Sequence, residues 1–161
     1  MTLIFKNAKI EDLDLINTIM YLSKSYWGYD EEFMDGFMAS FTINEAYLKK
    51  HMIKLAFHQE KLVGFYNFSF DEHDNLELEN FFLHPHYIGQ GFGKALWLHA
   101  CQTAKALSKD SFIIWSDPHA DEFYLNMGAQ KIGVRPSPVM PDRLPSIFKY
   151  TLSEEVQTSV A

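Results

Sequence analysis

The sequence predicts a single α/β domain spanning residues 1–161, and two observations carry that reading. Short runs rich in aromatic and branched apolar residues, some alternating strictly with polar ones, recur between runs with apolar residues at helical spacing. In addition, the stretch from Leu76 to Leu107 passes from a strand pattern to a helix pattern through glycines at 89, 91 and 93. At 161 residues the chain is long enough to bury one proper core, and no repeat, low-complexity segment or linker divides it.

Taken in order, Leu3 to Ala8 reads as a first strand. Glu11, Asp12 and Asp14 load the next helix start with acids, as the macrodipole favours, and Leu13, Ile16 and Met20 supply its buried stripe. Ser25 to Asp30 interrupts the pattern with three aromatics around Gly28. A second helix carries Phe33, Phe37 and Phe41 on one face, and Asn44 caps a short segment through Tyr47 and Leu48. Three strands follow: Met52 to His58, Leu62 to Phe70 after a tight turn at Glu60-Lys61, and the strand from Leu76 after the polar turn 71–75. The helix beyond the glycines places Leu96, Ala100, Ala104 and Leu107 on one stripe. Ser111 to Ser116 is a buried strand, and Asp117-Pro118 starts a helix that stops at Gly128. Gln130 to Val134 and Ile147 to Leu152 are the last strands, joined by a proline-rich loop, and the tail from Ser153 is expected to fray.

The glycine turn is the informative stretch. A strand handing over to a helix through such a turn leaves backbone N–H groups unpaired at the positive end of the macrodipole. With no Cβ in the way, a phosphate approaches them closely, and Lys94 adds a charge just inside the helix. A pyrophosphate is the expected anion. A Walker loop is excluded, because Ile88 stands where its first glycine belongs and Ala95 replaces its hydroxyl. A dinucleotide fingerprint is excluded by the G-x-G-x-G spacing and by the position of the motif in mid-chain.

A formal net charge of −7 argues against a nucleic-acid partner and is compatible with a cationic, amine-bearing substrate. The lone Cys101 falls within a helical pattern and reads as a core residue. His84, His86 and His119 have no Cys or Glu at ligand spacing, so no metal site is expected. No apolar run approaches a membrane span and the N-terminus lacks a signal-peptide layout, which makes the cytoplasm the expected compartment.

From Phe82 to Leu96 the sequence FLHPHYIGQGFGKAL resembles the acetyl-CoA loop of the GNAT N-acetyltransferases, x-P-x-x-[QR]-G-x-G-x-[GA]. Asp117 to Ala129, DPHADEFYLNMGA, resembles the family's N-P-x-A-x-x-F-Y-x-x-x-G-[FA] helix. Two departures stand out: Ile88 where Arg or Gln is usual, and Asp117 where Asn is common. Tyr26 to Asp30 with Arg143-Leu144-Pro145 is similar to a bacterial subgroup of the family. The resemblance implies the GNAT fold: a mixed sheet of six to seven strands flanked by about four helices, splayed between the fourth and fifth strands. It implies direct acetyl transfer from acetyl-CoA to a primary amine within a ternary complex. Phe82, Leu83, Ile88, Gly89, Gln90, Gly91, Phe92, Gly93, Lys94, Asp117 and His119 are then the expected cofactor contacts. Tyr124 aligns with the family's general acid beside the CoA sulfur, the alternative being a core tyrosine. Glu79 or Glu77, two apart on one strand, is the expected base. Trp27 and Tyr29 are placed to stack on an ammonium, Asp30 and Glu32 to pair with it, and Arg143 to bind a substrate carboxylate, unless these residues only pack the surface. A non-catalytic CoA-binding module with the same fold is the alternative function, and a homodimer is compatible with the sequence.

Overall fold

The computed structural model describes residues 2–140 and 143–153. In chain order the elements are β1 (Ile4–Asn7), α1 (Leu13–Ser25), α2 (Glu31–Phe41), α3 (Glu45–Lys50), β2 (Lys54–His58), β3 (Lys61–Phe70), β4 (Leu76–Leu83), α4 (Phe92–Ala106), β5 (Ser111–Ser116), α5 (Asp121–Asn126), β6 (Gln130–Val134) and β7 (Ser146–Thr151). Short 3₁₀ turns precede α1, α4 and α5. The strands form one seven-stranded sheet in the order β1-β2-β3-β4-β5-β7-β6. Every neighbouring pair is antiparallel except β4 and β5.

Alternation along the central strands sorts side chains to two faces. Leu55 and Phe65 join Ile16, Ile19, Met20, Phe33, Met34 and Phe37 of α1 and α2 on one side. Their neighbours Ala56 and Tyr66 join Leu96, Trp97, Ala100 and Ala104 of α4 and Tyr124 of α5 on the other. Eight consecutive residues of β3, from Leu62 to Ser69, are buried, as expected of a strand covered on both faces.

The sequence expectations need adjusting in a few places. Among the described residues there are five α-helices, because the short segment after Asn44 closes a full turn: the Asn44 carboxamide oxygen accepts from the Tyr47 amide at 2.8 Å. The β2–β3 turn lies one residue earlier, at Gln59 and Glu60, which both take positive φ, the twist a two-residue hairpin requires. Asp117 caps the 3₁₀ turn Pro118–Ala120 by accepting from the His119 amide, and α5 begins only at Asp121. Phe41 and Leu107, which share an apolar face with the buried residues of their helices, are exposed because each sits where its helix runs out. The expectation of a frayed tail falls almost wholly on 154–161, outside the described residues.

Two irregularities shape the centre of the sheet. β4 and β5 pair only at Glu77–Ile113 and Leu78–Ile114, so the β5-facing edge of β4 is free from Glu79 onward. Against β3, the register steps from Asn67–Asn80 to Phe68–Leu78, which leaves Glu79 as an unpaired bulge residue. The wedge between the parting strands is where the cavity lies.

Candidate active site

Three glycines build the turn before α4, each for its own reason. Gly89 and Gly91 take φ of +78° and +85°, the left-handed region that side-chain-bearing residues resist. Gly93 is helical, and a Cβ there would lie 3.2 Å from the Phe123 ring, so glycine lets α4 sit close against α5. Among the described residues the backbone N–H groups of 89 to 94 find no acceptor, whereas Ala95 already bonds to the Gly91 carbonyl. The Gln90 side chain folds back onto the His86 carbonyl at 2.8 Å and tightens the loop. A cluster of bare amides at a helix mouth fits a diphosphate, and the residues at the turn fit the group that the sequence resemblance implies. Ile88 is exposed beside it and supplies no donor.

The wedge between β4 and β5 opens into a cavity of about 400 Å³. Glu77, Glu79 and Asn80 line it from β4, Ser116 and Asp117 from the end of β5, Tyr124 from α5, and Lys24 and Trp27 from α1 and its exit. Phe33, Phe37 and Phe82 form much of its apolar wall. The cavity therefore gathers three chemically active groups that lie up to 47 positions apart in sequence, between Glu77 and Tyr124.

Each of those groups is tuned by its surroundings. Burial, then the charges of Asp117 and Asp121, push the Tyr124 phenol well above its ordinary value, so it stays protonated. Burial and the neighbouring Glu79 charge raise the Glu77 carboxyl, although the Arg135 guanidinium opposes them. Glu79 is exposed. Trp115, under the Arg135 guanidinium, also lines the cavity, and its Nε1 hydrogen has no acceptor among the described residues.

At the cavity end Asp117 accepts from Lys24 Nζ at 2.5 Å and forms an ion pair with the Arg143 guanidinium, whose Nη2 lies 2.7 Å away. The Tyr29 hydroxyl lies 2.9 and 3.0 Å from the two carboxylate oxygens and accepts from Arg143. Burial pushes the Asp117 carboxyl up, but Lys24, the His119 amide and Arg143 together outweigh it and hold it below the usual range. Lys24 shows the other side of that arrangement. Burial pulls its ammonium down, and one carboxylate shared with Arg143 does not fully restore it.

Not every candidate from the sequence reaches the cavity. Trp27 does, and His119 stacks on its ring at 5.0 Å between centroids. Arg143 also lines it, as part of the Asp117 cluster, whereas Tyr29 belongs to that cluster without lining the cavity. The Asp30 side chain is spent capping α2 through the Phe33 amide, at 2.8 Å. Leu83, expected to hold the cofactor, ends β4 with its β5 side free. Lys24 escaped notice in the sequence, though a signal existed: it continues the four-residue spacing of Ile16 and Met20, a charge on an otherwise buried stripe. Among the described residues no group of three or more His, Cys, Asp or Glu is placed to hold a metal. No helix among them is long and apolar enough to cross a membrane.

The class of protein follows from these features together with the comparisons. The sequence profile of the acetyltransferase (GNAT) family matches residues 16–129, and the chain belongs to that family. It is an acyltransferase that takes its acetyl group from acetyl-CoA. Among solved structures it is similar to the PaiA N-acetyltransferase of Thermoplasma acidophilum in complex with coenzyme A, with 19% identity, a TM-score of 0.76, and 94% of this chain and 99% of that one covered. A GCN5-related N-acetyltransferase from Rhodopseudomonas palustris superposes with TM-score 0.78 at 17% identity, covering 94% and 97%. The ribosomal-protein-S18-alanine N-acetyltransferase of Escherichia coli matches at 17% identity and TM-score 0.66, covering 94% and 95%. No curated sequence matches the chain.

Proposed function

We propose that the chain acetylates a primary amine, on a small molecule or a peptide, held in the cavity between β4 and β5, whose nitrogen attacks the thioester carbonyl of acetyl-CoA directly and expels the CoA thiolate without an acetyl-enzyme stage. One observation carries the reading: two carboxylates and a buried phenol share a cavity that opens beside a diphosphate-sized cluster of free amides.

The chemistry asks three things of the protein. An incoming ammonium must lose a proton before its nitrogen can attack, and Glu79 or Glu77 receives it, directly or through water. The free edge of β4 from Glu79 to Leu83 offers backbone hydrogen bonds that orient the pantetheine arm of acetyl-CoA as an added strand would. The leaving sulfur must be met by a proton, and Tyr124, whose phenol is held above its ordinary value by burial, is the donor lining the cavity. Bound acetyl-CoA supplies the activated acetyl group. The apolar wall of Phe33, Phe37 and Phe82 favours an amine with an apolar or aromatic body, and the clustered acids favour its positive charge. The amides of 89 to 94 and the side chains of Lys94, Ile88 and His119 are the proposed cofactor surroundings. Asp117 serves that site indirectly, because its carboxylate is committed to Lys24 and Arg143.

The test is thiol release from acetyl-CoA against a panel containing a polyamine, arylalkylamines and a peptide with a free N-terminus, with product masses read in parallel. One amine is expected to gain an acetyl group, and Tyr124→Phe is expected to lower kcat by about 10²-fold or more while leaving the KM for acetyl-CoA nearly unchanged. If CoA raises the melting temperature but no amine releases thiol, the cavity belongs to a CoA-binding module and the catalytic assignments fall.

A further inference from the structure

One end of the cavity holds more positive charge than its single paired acid can match. Lys24 comes from the last turn of α1 and Arg143 from the segment between β6 and β7, and both largely buried side chains converge on one oxygen of Asp117. Oδ2 lies 2.5 Å from Lys24 Nζ and 2.7 Å from Arg143 Nη2. The other oxygen, Oδ1, accepts the His119 amide at 2.9 Å and lies 3.0 Å from the Tyr29 hydroxyl. The carboxylate is therefore saturated, while both cations keep N–H groups that meet no acceptor among the described residues. Glu77 and Glu79, the other acids on the cavity wall, form no ion pair with either cation.

The balance at this end is two positive charges against one negative. Aromatic faces carry part of the surplus: Lys24 Nζ lies 4.9 Å from the Phe37 ring centre, and the Arg143 guanidinium carbon lies 5.1 Å from that of Phe33. A ring face is a weaker partner for a buried cation than a full negative charge, so the site stays one anion short. Trp115 on β5, two residues before Asp117, gives an independent sign. Its Nε1 hydrogen is buried at the cavity wall and finds no acceptor among the described residues. Buried donors are normally paired, and what this one lacks is an acceptor.

We propose that this end of the cavity binds a carboxylate carried by the acceptor, so that the substrate is a small amino-acid-like amine with an apolar or aromatic body. The inference rests on the acetyl-transfer reading above and narrows its amine. A surplus of one charge is matched by one carboxylate, whereas a phosphate monoester would bring about two negative charges. Lys24, Arg143 and the Trp115 N–H take the carboxylate, the wall of Phe33, Phe37 and Phe82 takes the body, and the acids of β4 face the amine. A cavity of about 400 Å³ suits a molecule of that size.

The experiment compares phenylalanine, tryptophan and leucine with their amides, which keep the amine and the body but lose the carboxylate, in thiol release from acetyl-CoA by the full-length chain. For the best of these amino acids, kcat/KM is expected to exceed that of its amide by about tenfold or more. That preference should fall by about tenfold in Lys24→Met and in Arg143→Gln. Acid and amide are measured on the same preparation, so a loss of folded protein does not move their ratio. An amide turned over as well as its acid overturns the proposal, and so does a preference that survives both substitutions. Binding without turnover separates this proposal from the reading beneath it. With CoA at saturation, 3-phenylpropionate is expected to bind about tenfold or more tightly than 3-phenylpropionamide by calorimetry, and to lose that advantage in Lys24→Met. Equal affinities in the unaltered chain overturn the anion site. Absence of thiol release with every amine marks failure of the acetyl-transfer reading instead, while the two affinities still decide the anion site.

Discussion

Asp117 shows how a single residue can be forced by its neighbours. Lys24 and Arg143 place two cations against it at 10% and 16% side-chain exposure. Replacing Asp117 with Asn leaves those cations facing each other with no anion between them. Asp117→Asn should cost about 3–5 kcal/mol of stability, read by urea unfolding, the range for breaking a buried pair from one side. Adding Lys24→Met should return part of that loss, because it removes the less well compensated cation. The pH dependence has a definite sign. A carboxyl held below its ordinary value of 3.8 contributes stability above that value and loses it as pH falls through the still lower folded value. Acid unfolding of the unaltered chain should therefore steepen below about pH 4, and Asp117→Asn should flatten that limb. Cys101, with its thiol pushed by burial to about 12, is a packing residue and offers no nucleophile.

At the scale of elements, the strand–turn–helix unit from β4 to α4 combines two demands. The turn must expose amides, and the strand before it must free one edge. The φ of +85° at Gly91 and the two-residue pairing of β4 with β5 meet them. A Cβ on Gly64 would lie 2.5 Å from the Phe82 carbonyl, so β3 holds β4 close on the opposite edge while β5 leaves it. Gly91 occupies the N-cap of α4, where Asp is a favourable helix starter. Gly91→Asp should consequently leave the helix formed, with a stability change near the 1–2 kcal/mol cost of the left-handed backbone. Its carboxylate would repel a diphosphate, and CoA affinity measured by calorimetry should fall at least 100-fold, which near 25 °C equals about 2.7 kcal/mol. Unchanged affinity would remove the turn from the binding site.

For the whole molecule, the two helix layers hold a sheet whose centre is parted, and a ligand filling that gap joins the halves. Coenzyme A at about 100 times its Kd should stabilise the native state by about 2.7 kcal/mol. For a domain of this size that corresponds to a rise of roughly 5–10 °C in Tm by scanning calorimetry. ATP, which shares the phosphates but not the pantetheine arm, should raise it much less. An equal shift with ATP would assign the turn without assigning the wedge.

The layout of strands and helices and the glycine turn were legible along the chain, because both are written in local periodicity and in backbone freedom that only glycine has. Short sequence motifs also brought Tyr124, Glu77 and Glu79 into consideration. Tertiary structure decided what those motifs could not: that Asp117 is tied to Lys24, Tyr29 and Arg143, that Asp30 only caps a helix, and that a bulge takes Glu79 out of the ladder. The reason is distance along the chain. Lys24 and Asp117 are 93 positions apart, Asn67 and Asn80 meet only through strand register, and no local pattern reports such pairings.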